Sequence, residues 1–261
     1  MDSINKTLYI PLYGKAYASE RGLFLRDEKA EEIWKKEGFA LKGKAKSKWL
    51  AYTMGMRAAV FDRWTAEKLQ ENPDAVVLHI GCGMDARAQR VEHKTAHWFD
   101  IDFPEVIEER KRYFVESATY TMTGADVRQP EWLDAVPEAH TAVVVMEGVS
   151  MYLQLPELQG LLKALGDRFQ KVHLLMDTYT VFAAKATRYK NPINTVGVTA
   201  VYGFDTPEEA IGASGFRFLG EHDLTPDDMI AQLPRGEQRF FKTMFAGKTA
   251  KKIYRLYSYE A

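Results

Sequence analysis

From residue 75 onward the chain alternates short apolar runs with stretches of helical periodicity. AVVLHI at 75–80, AHWFDI at 96–101, YTMT at 120–123, TAVVVM at 141–146 and KVHLLM at 171–176 are each four to six residues long, the length of a buried strand. In PELQGLLKALGDRF, Leu158, Leu161, Leu162, Leu165 and Phe169 fall at i, i+3, i+4, i+7 and i+11, one apolar face of a helix, and Pro156 suits its first turn. Strands alternating with helices predict right-handed βαβ units and a parallel sheet covered on both faces.

Past residue 200 the pattern changes. Thr206-Pro207-Glu208-Glu209 has the form of a capping box with proline at the first helical position, and predicts a short helix ending at Gly215. FRFLGEHDL and the terminal KKIYRLYSYE read as two further strands with no long helix between them. The expected fold is α/β, a mostly parallel seven-stranded sheet with one antiparallel strand near the C-terminus. The first 70 residues differ, with helical segments around Glu28–Trp34 and Met54–Gln70. The basic stretch from Lys42 to Lys48 between them reads as a solvated loop rather than a docking strip for an acidic partner. Residues 1–74 are therefore taken as an N-terminal helical extension, a lid within the same domain, and residues 75–261 as the cofactor-binding core.

Composition narrows the function classes. Lys plus Arg total 35 against 36 acidic residues in 261, so no global basic field draws the protein to nucleic acid or to a membrane. The single cysteine, Cys82, excludes an internal disulfide and suits a reducing compartment. MDSINKTLYIPLYGK has no signal-peptide core, and no run approaches the ~18 apolar residues of a membrane span. A cytoplasmic protein is expected. The six histidines show no metal-ligand spacing, so no metal is expected.

The candidate chemistry centres on VVLHIGCGMDARAQRV at 76–91, where a buried strand runs into Gly81-Cys82-Gly83 and then into a helix beginning near Met84 or Asp85. Glycines at such a junction permit a tight turn and close approach of a ligand to the backbone. Asp100 and Asp102 follow about 20 residues later, where a carboxylate can accept both hydroxyls of an adenosine ribose. Spacing alone leaves a nicotinamide dinucleotide and S-adenosylmethionine both open. Three features favour the second. The glycine loop sits behind a long N-terminal stretch; Asp85 at the helix start would repel a pyrophosphate; and Asp126 with the Val127 amide, after the third run, can read an adenine edge. Cys82 reads as a small buried filler, Asp100 as structural, and Arg87 as a brace for the loop.

VVLHIGCGMDARAQRV, WFDIDFPEVIEERKRYF and VVVMEGVSMYLQLPELQGLLKAL resemble the signature segments of the leucine carboxyl methyltransferase family, which includes tetracenomycin-type polyketide O-methyltransferases. TLYIPLYGKA and MGMRAAVFDRW resemble its N-terminal region. The resemblance implies a Rossmann-like class I methyltransferase that uses S-adenosylmethionine, with helices before the first strand. By the same resemblance Arg57 pairs with the cofactor's carboxylate, with Lys15 as a second cation. Gly81, with Gly83 in the same loop, lines the methionine moiety, and Asp102 takes the ribose hydroxyls. Asp126 and Val127 read the adenine, and Glu147 lies beside the amino acid end, facing the substrate. His79 stands where asparagine is common, and Ala86-Arg87 replaces Thr-Arg.

The implied reaction is in-line methyl transfer to oxygen on a small molecule or a peptide C-terminus. A carboxylate acceptor is already ionised at neutral pH, whereas a hydroxyl or phenol needs a base. Tyr152 and Tyr179 lie past the fourth and fifth runs, and read as pocket walls before bases. The competing functions are a non-catalytic adenosyl-ligand-binding module and an NAD-dependent oxidoreductase.

Overall fold

Three helices precede the alternating part of the chain. The computed structural model describes residues 8–38, 41, 43–93, 96–187 and 201–261. It opens with α1 (Tyr9–Ser19), α2 (Glu28–Glu37) and α3 (Lys48–Glu71). Then follow β1 (Val76–Ile80), α4 (Arg87–Arg90), β2 (Trp98–Asp102), α5 (Pro104–Arg110), β3 (Tyr120–Gly124), β4 (Thr141–Met146), α6 (Leu155–Arg168) and β5 (Lys171–Tyr179). The C-terminal part comprises α7 (Val181–Ala186), α8 (Pro207–Ile211), β6 (Arg217–His222), α9 (Asp227–Ile230), α10 (Arg235–Phe245), α11 (Gly247–Lys251) and β7 (Tyr254–Glu260).

The strands form one seven-stranded sheet in the order β3-β2-β1-β4-β5-β7-β6. Pairing is parallel from β3 through β5, and β7 runs antiparallel to both β5 and β6. β7 is thus the one antiparallel strand that the pattern predicts. Alternate side chains of the central strands feed two cores. Val77, Trp98, Val143, Val145 and Leu175 join Leu12, Ile33, Met56, Phe61 and Trp64 of the N-terminal helices. Leu78, Ile80, Ile101, Val144 and Leu174 join Leu158, Leu161, Leu162 and Leu165 of α6, with Phe169 just beyond it. At about 1.5–3 kcal/mol for each large apolar side chain buried, those leucines are what docks α6. No helix among the described residues is long and apolar enough to cross a membrane.

Four local expectations are corrected. A substantial helix, α10, does lie between β6 and β7: Phe241 is fully buried, and Phe245 stacks on Trp49 of α3 with ring centroids 5.7 Å apart. The helix after the glycine loop does not start at Met84 or Asp85 but is the single turn α4. The carbonyls of Gly83 and Asp85 accept instead from the Arg110 guanidinium, at 2.9 and 2.6 Å, which satisfies them without a helical turn. The capping box of Thr206 and Glu209 forms, but α8 ends at Gly212, whose φ of +48° stops it before Gly215. In the basic stretch, Lys42 lies outside the described residues, Gly43–Lys46 make a 3-10 turn, and Lys48 opens α3 with Glu237 at 2.9 Å. It is therefore not simply a solvated loop.

Candidate functional site

The strand order reverses between β1 and β4, and at that switch point a cleft opens beyond the C-terminal ends of the parallel strands. It holds a cavity of about 280 Å³. Lys15 and Arg57 from the N-terminal helices line it, as do Gly81 and Gly83 after β1, Asp102 at the end of β2, Asp126 and Val127 after β3, and Glu147 after β4. Tyr152 and Tyr179 line it too. Every cofactor-site candidate read from the sequence therefore faces one space.

The glycine loop has the geometry that favours its residue type. Gly81 has φ +69° and Gly83 φ +49°, both left-handed. A Cβ on Gly81 would sit 2.2 Å from Val149 Cγ2. Gly81→Ala is therefore expected to destabilise the fold by about 1–3 kcal/mol. Scanning calorimetry should read this as a Tm decrease of roughly 2–4 °C per kcal/mol at this chain length; an unchanged Tm would mean the loop relaxes freely.

Asp102 is oriented from two sides. Gly83 N–H donates to Oδ2 and Phe103 N–H donates to Oδ1, each at 2.8 Å. Each oxygen keeps a further lone pair for a ligand hydroxyl. Burial pushes the Asp102 carboxyl above its ordinary pKa, against the pull of those amides. Asp126 is gripped by Arg128, with Nε at 2.8 and 3.0 Å from its two oxygens, and this guanidinium lowers its pKa. Asp100, two residues before Asp102 and on the same strand face, lies deeper within β2 and serves the core instead. Trp98 Nε1 donates to it at 2.9 Å, Tyr120 OH at 2.6 Å, and Arg110 pairs with it. Cys82 is buried, and burial pushes its thiol pKa well up, in keeping with a filler.

Behind the glycine loop runs a continuous buried ion network. Lys15 meets Asp85 at 3.2 Å; Arg90 meets Asp85 at 2.8 Å, Asp62 at 2.7 Å and also Asp27. Arg87 meets Asp62 at 2.7 Å, Asp85 at 3.3 Å and also Glu147. Arg57 meets Glu147 at 2.9 Å and Asp177 at 3.0 Å. The bracing expected of Arg87 is thus present. His79 Nε2 lies 3.1 Å from Arg87 Nη1, which can only donate, so Nε2 accepts and Nδ1–H donates to Asp100 at 2.8 Å.

Two expectations about charge change here. Asp85 is covered by Lys15, Arg87 and Arg90, and these cations outweigh burial and hold its pKa well below the usual carboxylate range. By itself it therefore does not repel a pyrophosphate. Arg57 and Glu147 are also partners of each other, not only of a ligand: Arg57 is 4% exposed, its Nε donating to Glu147 at 3.0 Å. Asp177, at the end of β5, and Tyr254, on β7, escaped the sequence reading. Asp177 had a usable signal, a carboxylate closing an apolar run as Glu147 does; Tyr254 had none.

Residues 11–166 match the family model described as leucine carboxyl methyltransferase. The tetracenomycin polyketide synthesis O-methyltransferase TcmP of Streptomyces glaucescens is 32% identical over 177 residues, 67% of this chain and 66% of that protein. The match thus spans just under two thirds of that relative's length. An S-adenosylmethionine dependent methyltransferase from Mesorhizobium loti superposes with a TM-score of 0.53 at 14% identity, covering 77% of this chain and 98% of that one. Magnesium protoporphyrin IX methyltransferase (ChlM) from Synechocystis PCC 6803, solved with bound S-adenosylmethionine, gives 0.51 at 12% identity, covering 90% and 97%. At these identities the two structures establish a shared Rossmann-like fold.

Proposed function

The chain belongs to the leucine carboxyl methyltransferase family, and from that premise we propose that it is an S-adenosylmethionine-dependent O-methyltransferase acting on a carboxylate or hydroxyl of a small molecule. The observation that carries this reading is the charge of the cavity wall. Among the described residues that line the cavity, the cations Lys15, Arg57 and Arg128 stand against the carboxylates of Asp85, Asp102, Asp126 and Glu147. The wall carries one excess negative charge. A sulfonium amino acid, with two positive groups and one negative, complements that excess, whereas the anionic pyrophosphate of NAD adds to it.

When bound, S-adenosylmethionine supplies a methyl group on a positively charged sulfur, which departs as a neutral thioether. Arg57 and Lys15 hold the carboxylate end, and Glu147 the ammonium. Gly81 and Gly83 let the ligand come close to the backbone. Asp102 accepts the ribose hydroxyls, and Asp126 with the Val127 amide holds the adenine edge. Residues 1–74 act as a lid of the same domain over the core formed by residues 75–261, and keep water out of the cleft. At one end of the cavity Ile10 gathers Leu50, Met54, Tyr152 and Tyr179 into an apolar cluster. That wall suits the apolar body of a small acceptor better than a peptide C-terminus. Tyr152 and Tyr179 orient the acceptor oxygen; a carboxylate there needs no base.

Thermal shift tests the cofactor first. A ligand at about 100 times its Kd adds roughly 2.7 kcal/mol of stability, so S-adenosylmethionine and S-adenosylhomocysteine are expected to raise Tm and NAD(H) is not. The opposite pattern would favour an oxidoreductase. Methyl transfer from labelled cofactor to a panel of aromatic acids and phenols then separates an enzyme from a module that binds without turnover.

A further inference from the structure

Asp177 is fully buried, and its carboxylate has no role in the steps outlined above. Its Oδ1 accepts from the Gly148 amide at 2.7 Å; its Oδ2 accepts from Arg57 Nη1 at 3.0 Å and from the Tyr254 hydroxyl at 2.6 Å. The Tyr254 oxygen in turn accepts from Arg57 Nη1 at 2.6 Å. On the far side of the guanidinium, Nε donates to Glu147 at 3.0 Å and Nη2 lies 2.9 Å from the same oxygen. Three separate strand ends thus converge on one guanidinium arriving from α3.

The two acids holding Arg57 are not equivalent. Glu147 is shared with Arg87, while among the described residues Arg57 is the cation paired with Asp177. Burial pushes the Tyr254 hydroxyl well above its usual range, so it stays protonated and donates to Asp177. With Nε and Nη1 committed in this way, rotation of the guanidinium is blocked, and among the described residues the second Nη2 hydrogen is left for a ligand in the cavity that Arg57 lines.

We propose that Asp177 and Tyr254 are positioning residues for cofactor binding, which fix the Arg57 guanidinium in the orientation that receives the carboxylate of S-adenosylmethionine. The inference rests on the cofactor reading above. Asp177 acts only through Arg57, and this separates a positioning role from a merely structural one: its loss should matter where the arginine fork is present and not where the fork is gone.

The test is a double-mutant cycle on the full chain, with Kd for S-adenosylhomocysteine read by calorimetric titration. Asp177→Asn keeps the acceptor for Gly148 but turns a donor toward Arg57, and is expected to raise Kd at least tenfold. In the Arg57→Lys background, where the charge remains but the fork is absent, the same change is expected to raise Kd less than threefold. Equal effects in both backgrounds, or no effect of Asp177→Asn on a wild type that binds, would overturn the proposal. No binding by the wild type would instead overturn the cofactor reading. If Asp177→Asn does not fold, Tyr254→Phe, which deletes one oxygen, is put through the same cycle and judged by the same inequality of effects.

Discussion

Glu147→Gln is expected to destabilise the folded chain by about 3 kcal/mol at neutral pH, the low end of what breaking one partner of a buried ion pair costs. Glu147 lies between Arg57 and Arg87, both almost completely buried. Removing its charge leaves two desolvated guanidiniums sharing one acid fewer. The loss stays at the low end because Asp177 still faces Arg57, and Asp62 and Asp85 still face Arg87.

The effect has a pH signature. Burial raises the Glu147 pKa, but Arg57, Arg87 and Lys15 outweigh it and bring it from 4.5 down to about 2. A carboxyl depressed on folding contributes stability that is fully present above its unfolded pKa and is lost as pH falls through its folded one. The wild type should therefore lose this contribution between pH 4.5 and about 2; the variant never has it. Urea unfolding of both proteins at neutral pH and at about pH 3 should show the gap narrowing on acidification. A gap of the same size at both would place the destabilisation in packing, not charge.

Asp102→Ala is expected to weaken S-adenosylhomocysteine binding about 100-fold with the fold retained. Two ligand hydroxyls donating to a carboxylate are together worth roughly 3 kcal/mol or more, hydrogen bonds to charged groups being stronger than neutral ones, and 1.4 kcal/mol is tenfold in Kd. Among the described residues the side chain accepts from the Gly83 and Phe103 amides, which can turn to solvent or ligand when it is removed. Because burial raises the Asp102 pKa, wild-type binding should also weaken on acidification at a pH above the usual carboxylate range. Titration calorimetry checks both. An unchanged Kd in the alanine variant would remove Asp102 from the ribose.

Val77 and Leu78 alternate between the two cores because strand side chains alternate, and that signal lies within the strand itself. Alternation does not separate Asp102 from Asp100, which share a strand face; Asp102 faces the cavity because it ends β2, while Asp100, two residues earlier, is covered by the core. The single-turn α4 was not legible. Met84 to Arg90 is a passable helical stretch, yet the Gly83 carbonyl accepts from Arg110, 27 residues further on. The apolar stripe of α10 finds its partners, Trp49 and Tyr52, far earlier in the chain.

The same division separates the site's residues from their relations. By itself the sequence determined the strand pattern, the glycine turn and the carboxylates at strand ends, since each is set by backbone sterics and side-chain alternation within a few residues. Only the tertiary structure decided which acid neutralises which cation. Arg57 reaches Glu147 across 90 residues, Asp177 across 120 and Tyr254 across 197. Coulomb attraction and desolvation depend on distance in space, and the sheet alone brings those strand ends within reach of one guanidinium.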